Sequence, residues 1–197
     1  LKVRYQAIGG SPLYSITQKI AQGTQRALEL SFPGRCQTFT AMKHSPPFIQ
    51  DVVGEMARKG IRQAIAIALA PFRSRLSTEG YYRLVKESGQ GSEQSMEWSF
   101  AGDWSLHPLF LRLWKNRISD TLSMLDPPPT VIFTNHSLPD RIRKWNDPYP
   151  EVFGRTAETL AQQCNLSDWA VAYQSEGGGN QNWLGPQLME VLKDFKH

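Results

Sequence analysis

Apolar residues along this chain recur with two alternating periods. Leu13, Ile16, Ile20, Ala27 and Leu28 share a stripe at helical spacing, and Ile49, Val52, Val53 and Met56 fit the i, i+3, i+4, i+7 template. A further helix is expected over Thr78–Ser88. The same period returns over Pro108–Leu125, with Leu109, Leu113, Ile118 and Leu122 inward. It returns again over Tyr149–Cys164, with Val152, Phe153, Thr156, Ala157 and Leu160, and a last helix is expected from Gln187 to Phe195. Between these lie short strand-like runs: Cys36–Met42, Ile61–Ala70, Met96–Phe100, Val131–Phe133 and Trp169–Tyr173. The punctuation agrees with that division. Ser11-Pro12, Ser45-Pro46 and Asp147-Pro148 read as helix starts, and Gly60 as the residue just past a helix end.

Strands alternating with crossover helices predict parallel βαβ units, hence an α/β fold. The near-continuous apolar character of Ile61–Ala70 suits a strand covered on both faces. Gly89-Gln90-Gly91-Ser92 is the natural break, which divides the chain into a first half over 1–90 and a second over 91–197. The rhythm also calls for a strand before residue 1 and more strand after residue 197, so the sheets are expected to be incomplete at both termini.

Composition narrows the classes. The 197 residues are 40% hydrophobic and 20% charged, ordinary for a globular protein, and the net charge of +4 is spread along the chain. No arginine-rich stripe interleaves with aromatics, which argues against nucleic acid. The exception is Arg141-Ile142-Arg143-Lys144, either a solvated face or a contact for carboxylates on an anionic ligand. The two cysteines, Cys36 and Cys164, have no metal spacing and are expected to be buried small hydrophobes in a reducing compartment. No basic-then-apolar leader opens the chain, and its longest apolar run, Ala64–Ala70, is too short to span a bilayer. A soluble cytoplasmic protein is therefore expected, with peripheral membrane contact left open.

Neither GxGxxG nor GxxxxGK[ST] occurs, so the dinucleotide and P-loop readings lose their support. Gly177-Gly178-Gly179 follows a strand but lacks the lysine that would hold a phosphate, and reads as a mobile loop. Of the four histidines, His136 has the best chemical position. It follows Val131-Ile132-Phe133 at once, which places its imidazole at a strand's carboxyl edge, where ligands bind in open α/β sheets. A neutral imidazole suits a borderline metal such as iron and also accepts a proton near neutrality.

The segment HSLP at His136–Pro139, followed by DPYP at Asp147–Pro150, resembles the ferrochelatases, the bacterial coproporphyrin-type enzymes above all. RYQAIGGSPL at Arg4–Leu13, MKHSPPFIQD at Met42–Asp51, YQSEG from Tyr173 and WLGP ending at Pro186 match in the same order, so the resemblance spans nearly the whole chain. It implies Rossmann-like parallel sheets flanked by helices, and a lyase that inserts Fe²⁺ into coproporphyrin III or protoporphyrin IX in haem biosynthesis. Its substrates are a porphyrin, held in a cleft between two α/β halves, and ferrous iron, with no tightly bound cofactor.

The resemblance implies that His136 faces the porphyrin and, with a carboxylate further along the chain, handles the pyrrole protons and the incoming iron. His44 matches a family histidine assigned to metal handling; on position alone it is equally a turn histidine beside Pro46. Arg4 and Tyr5 match a pair that contacts the tetrapyrrole, where a guanidinium holds a propionate in two-pronged fashion. Ser11 matches a ligand-contacting serine and is also a good N-cap. Tyr81 matches the family's binding tyrosine, against the plainer reading that Tyr81 and Tyr82 pack a helix onto a sheet. Glu176 reads as a supporting carboxylate, and His107 and His197 as uninvolved.

The departures are specific. The family's catalytic glutamate and its N-terminal axial ligand fall outside residues 1–197. Leu69–Ser74 reads LAPFRS for LAPHFS, and Asn135 stands where a small residue is usual. Those departures motivate an alternative: a catalytically incomplete chelatase-like domain that binds tetrapyrrole or iron, or only assembles with another chain. A chelatase for cobalt or another tetrapyrrole would share the βαβ rhythm without being expected to carry DPYP.

Overall fold

The computed structural model describes residues 2–89 and 96–195, the side chains of Lys2 and Arg4 excepted. Most of the expected break at Gln90-Gly91-Ser92, and His197, lie outside the described residues. In chain order the elements are helices α1 (Lys2–Ala7), α2 (Leu13–Ser31) and α3 (Ile49–Arg58), strand β1 (Gln63–Ala66), helix α4 (Thr78–Ser88) and strand β2 (Glu97–Phe100). Then come α5 (Pro108–Leu122), β3 (Val131–His136), a 3₁₀ helix over Asp140–Trp145, α6 (Tyr149–Gln163), β4 (Trp169–Gln174) and α7 (Leu188–Asp194). Two compact units result, Leu1–Ala64 with Leu84–Trp98, and Ile65–Arg83 with Ser99–His197.

The α/β alternation stands, in two small parallel sheets. One pairs β1 with β2: Glu97 N–H donates to Arg62 O at 2.8 Å and Ala101 N–H to Ala66 O at 3.0 Å, a constant offset that only parallel strands give. The other pairs β3 with β4. Among the described residues no helix is long and apolar enough to cross a membrane.

In the first unit, α3 follows its pattern closely. Ile49, Val52, Val53 and Met56 are all buried, and Gly60 adopts φ +74°, the left-handed conformation that ends a helix cheaply only with glycine. Helix α2 differs: its stripe exists, but none of its residues is buried, and Leu13, Ile16 and Ile20 stay exposed. The strand expected over Cys36–Met42 is absent apart from a single bridge between Met42 and Phe48. A side chain takes the place of a strand neighbour there. The Gln25 carboxamide donates to Cys36 O at 2.9 Å and accepts from Thr38 N–H at 2.7 Å, satisfying one edge of the segment.

In the second unit, α5 begins where the sequence places it, with the His107 ring accepting from Leu109 N–H at 3.2 Å. Its phase is different. Leu111 is the buried residue, while Leu109 and Leu113 face outward, on a helix that packs against α6. Cys36 and Cys164 are free thiols, half-buried rather than buried.

The second unit's core is a cluster of Ile142, Tyr149, Phe153, Tyr173 and Leu184, with Phe72, Phe133, Leu138 and Val171 against it. Ile142 and Leu184 are fully buried, at 0% exposure. Full burial of side chains of this size is worth about 1.5–3 kcal/mol each. The aromatic members meet edge to face, Phe72 with Phe153 at 5.6 Å and Phe153 with Tyr173 at 5.5 Å, the arrangement their quadrupoles favour. This cluster underlies the end of β3.

Candidate active site

Strands β3 and β4 run parallel and in register from Val131↔Trp169 to His136↔Gln174. Register partners on adjacent parallel strands share a face and stand about 4.8 Å apart. His136 and Gln174 are therefore neighbours on one face at the carboxyl edge, and both side chains are exposed. The imidazole is accessible, as the strand-end placement requires.

The backbone beneath it is held from several directions. On the edge of β3 away from β4, the Tyr149 hydroxyl donates to the His136 carbonyl at 2.8 Å, and the Asn135 carboxamide oxygen accepts from His136 N–H at 2.9 Å. Toward β4, Ser137 N–H donates to Gln174 O at 2.7 Å. Ser137 is itself fully buried; its hydroxyl donates to Leu184 O at 2.8 Å and accepts from the Gln187 amide at 3.3 Å. Leu184 N–H returns to Leu138 O at 2.9 Å, and Pro139 bridges Trp183 in antiparallel fashion. The Trp183 ring lies 2.4 Å from where a Cβ on Gly177 would stand, so only glycine fits there. HSLP, DPYP, YQSEG and WLGP are thus interlocked around the end of β3 and β4. The Asn135 amide nitrogen is buried with no hydrogen-bond partner among the described residues.

Asp147 anchors the other side of the site. It is 6% exposed, yet its carboxylate accepts from the Ser74 hydroxyl at 3.1 Å, Arg75 N–H at 2.8 Å and Tyr149 N–H at 3.0 Å. The N-cap of α6 is Pro148 rather than the expected Asp147, yet through Tyr149 N–H the carboxylate holds the first turn of that helix and ties the 74–75 turn to it. Burial raises the Tyr149 hydroxyl well above the ordinary tyrosine range, with Tyr173 and the Asp147 carboxylate adding to the effect. Burial also raises Tyr173, against the pull of the Arg143 charge. Both phenols therefore stay protonated and able to donate at any ordinary pH.

Beyond the histidine, the 3₁₀ helix presents Arg141, Arg143 and Lys144 to solvent. Arg141 lies over the Trp145 ring at 5.6 Å, and Arg143 pairs with Asp140 at 2.8 Å. Among the described residues no three His, Cys, Asp or Glu side chains group as a metal cage. An accessible imidazole can take a proton or ligate a cation.

Tyr5 is in α1 and exposed; Arg4 is in the same helix, its side chain outside the described residues. Ser11 precedes α2 and accepts from Leu13 N–H at 3.4 Å, a weak version of the expected cap. His44 is exposed in the turn between Met42 and α3, and Tyr81 is half-buried in α4. Arg4, Tyr5, Ser11 and His44 belong to the first unit, Tyr81 and His136 to the second. Glu176 is exposed just beyond β4. Gln174 and the Tyr149 hydroxyl were not singled out by sequence. Gln174 could have been found from the strand register, whereas a hydroxyl aimed at a backbone atom leaves no local pattern.

The comparisons agree with the motifs. A family model described as Ferrochelatase matches residues 1–197. The chain is 35% identical over 200 residues to a ferrochelatase of Herpetosiphon aurantiacus, covering 99% of this chain and 66% of that protein. It is 35% identical over 203 residues to a coproporphyrin III ferrochelatase of Halalkalibacterium halodurans, covering 99% and 64%. It is 34% identical over 201 residues to the coproporphyrin III ferrochelatase of Bacillus subtilis, again covering 99% and 64%. The chain belongs to the ferrochelatase family. It spans about two thirds of the length of these relatives, 64–66%.

Proposed function

We propose that this chain forms the part of a metal chelatase that carries the reacting histidine, in an enzyme that inserts Fe²⁺ into a porphyrin for haem biosynthesis. The observation that carries the reading is the exposed His136 imidazole at the carboxyl edge of β3, on a backbone fixed on both edges. The reaction removes two pyrrole protons and delivers one divalent cation to the four nitrogens. His136 accepts one of these protons and a carboxylate further along the full-length protein the other; while still neutral, the same imidazole can ligate the cation as water leaves it. Gln174 beside it offers a neutral amide that can hydrogen-bond without competing for the metal. His44 serves the incoming iron, and Arg4, Tyr5, Ser11 and Tyr81 hold the tetrapyrrole and its carboxylates. The enzyme works in the cytoplasm, with any membrane contact peripheral. Coproporphyrin III, named in the relatives, is the first porphyrin to test, and protoporphyrin IX the second.

Anaerobic ferrous insertion, followed by the loss of metal-free porphyrin fluorescence, tests the proposal. Turnover above the uncatalysed rate is expected when the chain is assayed in its full-length protein. Porphyrin binding without insertion would instead favour the catalytically incomplete domain.

A further inference from the structure

We infer that Tyr149 is a positioning residue for His136: its buried hydroxyl clamps the histidine's main-chain carbonyl and so fixes the direction of the imidazole. The inference rests on reading His136 as the reacting group. A strand's last residue is where pairing ordinarily frays. Here the His136 carbonyl points away from β4 and accepts from the Tyr149 hydroxyl, at 2.8 Å. The clamp is itself rigid. Tyr149 is 5% exposed, its ring meets Phe72 edge to face, and its N–H is held at 3.0 Å by the buried Asp147 carboxylate. That carboxylate also grips Ser74 and Arg75, so the aspartate, the tyrosine and the histidine carbonyl form one continuous hydrogen-bonded line.

The geometry gives DPYP a task beyond starting a helix. Proline at 148 sets the first turn, and the aspartate before it and the tyrosine after it connect that turn to the chemistry. A phenol is protonated throughout the range in which an imidazole titrates, and burial only raises Tyr149 further, so the hydroxyl donates across that range. A displacement of about 1 Å at a reacting group can cost about 10²-fold in rate, so a clamp on one carbonyl has a measurable effect.

Tyr149→Phe in the full-length protein is the first test, because it removes the oxygen and leaves the ring in its cluster. The expected result is a fall in kcat of about 10-fold, with the KM for porphyrin unchanged and the thermal midpoint lowered by only a few degrees, as the loss of one buried hydrogen bond costs. Tyr149→p-aminophenylalanine, which restores a donor, is expected to recover most of that loss. It also covers the case in which the phenylalanine variant folds poorly. Equal kcat for wild type and Tyr149→Phe, or no difference between the two variants, overturns the clamp. His136→Ala run alongside separates the layers: its full activity would overturn the underlying reading, whereas its inactivity beside an unaffected Tyr149→Phe would overturn this inference alone.

Discussion

Replacing His136 by alanine is expected to lower metal insertion by about 10²–10⁴-fold, the usual cost of losing a positioned proton acceptor, while porphyrin binding survives. The separation follows from where the side chain sits. His136 is exposed at the end of β3, whereas the main chain that shapes the site is held by Ser137, Tyr149 and Leu184, none of which needs the imidazole. Truncating the ring leaves those hydrogen bonds in place, and an exposed site loses little stability on substitution. Porphyrin quenching of intrinsic fluorescence measures the binding, and anaerobic insertion measures the rate. Loss of both together would mean that the histidine shapes the pocket rather than handling protons or metal.

Asp147→Ala is expected to destabilise the fold by about 3–5 kcal/mol, since it strands several donors at once. The Ser74 hydroxyl, Arg75 N–H and Tyr149 N–H all end on this carboxylate, and Ser74 and Tyr149 are buried with it. Asp147→Asn keeps one carbonyl oxygen and the side-chain volume, and is expected to cost roughly half as much or less, because part of the acceptor set remains. Urea unfolding followed by circular dichroism gives both values. A loss below about 1 kcal/mol for the alanine variant would show that water replaces the carboxylate, as it does at an exposed cap.

The parts of this fold legible in the sequence are those set by local rules. The buried stripe of α3, the turn at Gly60, the burial of Phe153, Thr156, Ala157 and Leu160 in α6, and the strand before His136 each follow from spacing within one segment. What escaped depends on neighbours distant in sequence. The phase of α5 is decided by its packing on α6, so Leu111 turned inward where Leu109 and Leu113 were expected. The segment from Cys36 to Met42 has a strand's pattern, yet a strand needs a partner, and Gln25 supplies one by side chain. At the site, motif order revealed which segments matter but not their interlocking. Ser137 to Leu184 spans 47 residues and Ser74 to Asp147 spans 73, separations that no local periodicity encodes.

Nitrogen-15 NMR of histidine-labelled protein reads whether the His136 imidazole meets the porphyrin. With the His136 signal identified from the spectrum of His136→Gln, metal-free coproporphyrin III is titrated into the full-length protein. The expected result is a saturable shift of the His136 ring resonances while those of His107, which caps α5 through its own ring nitrogen, stay in place. Porphyrin binding that leaves the His136 ring unmoved would contradict the assignment.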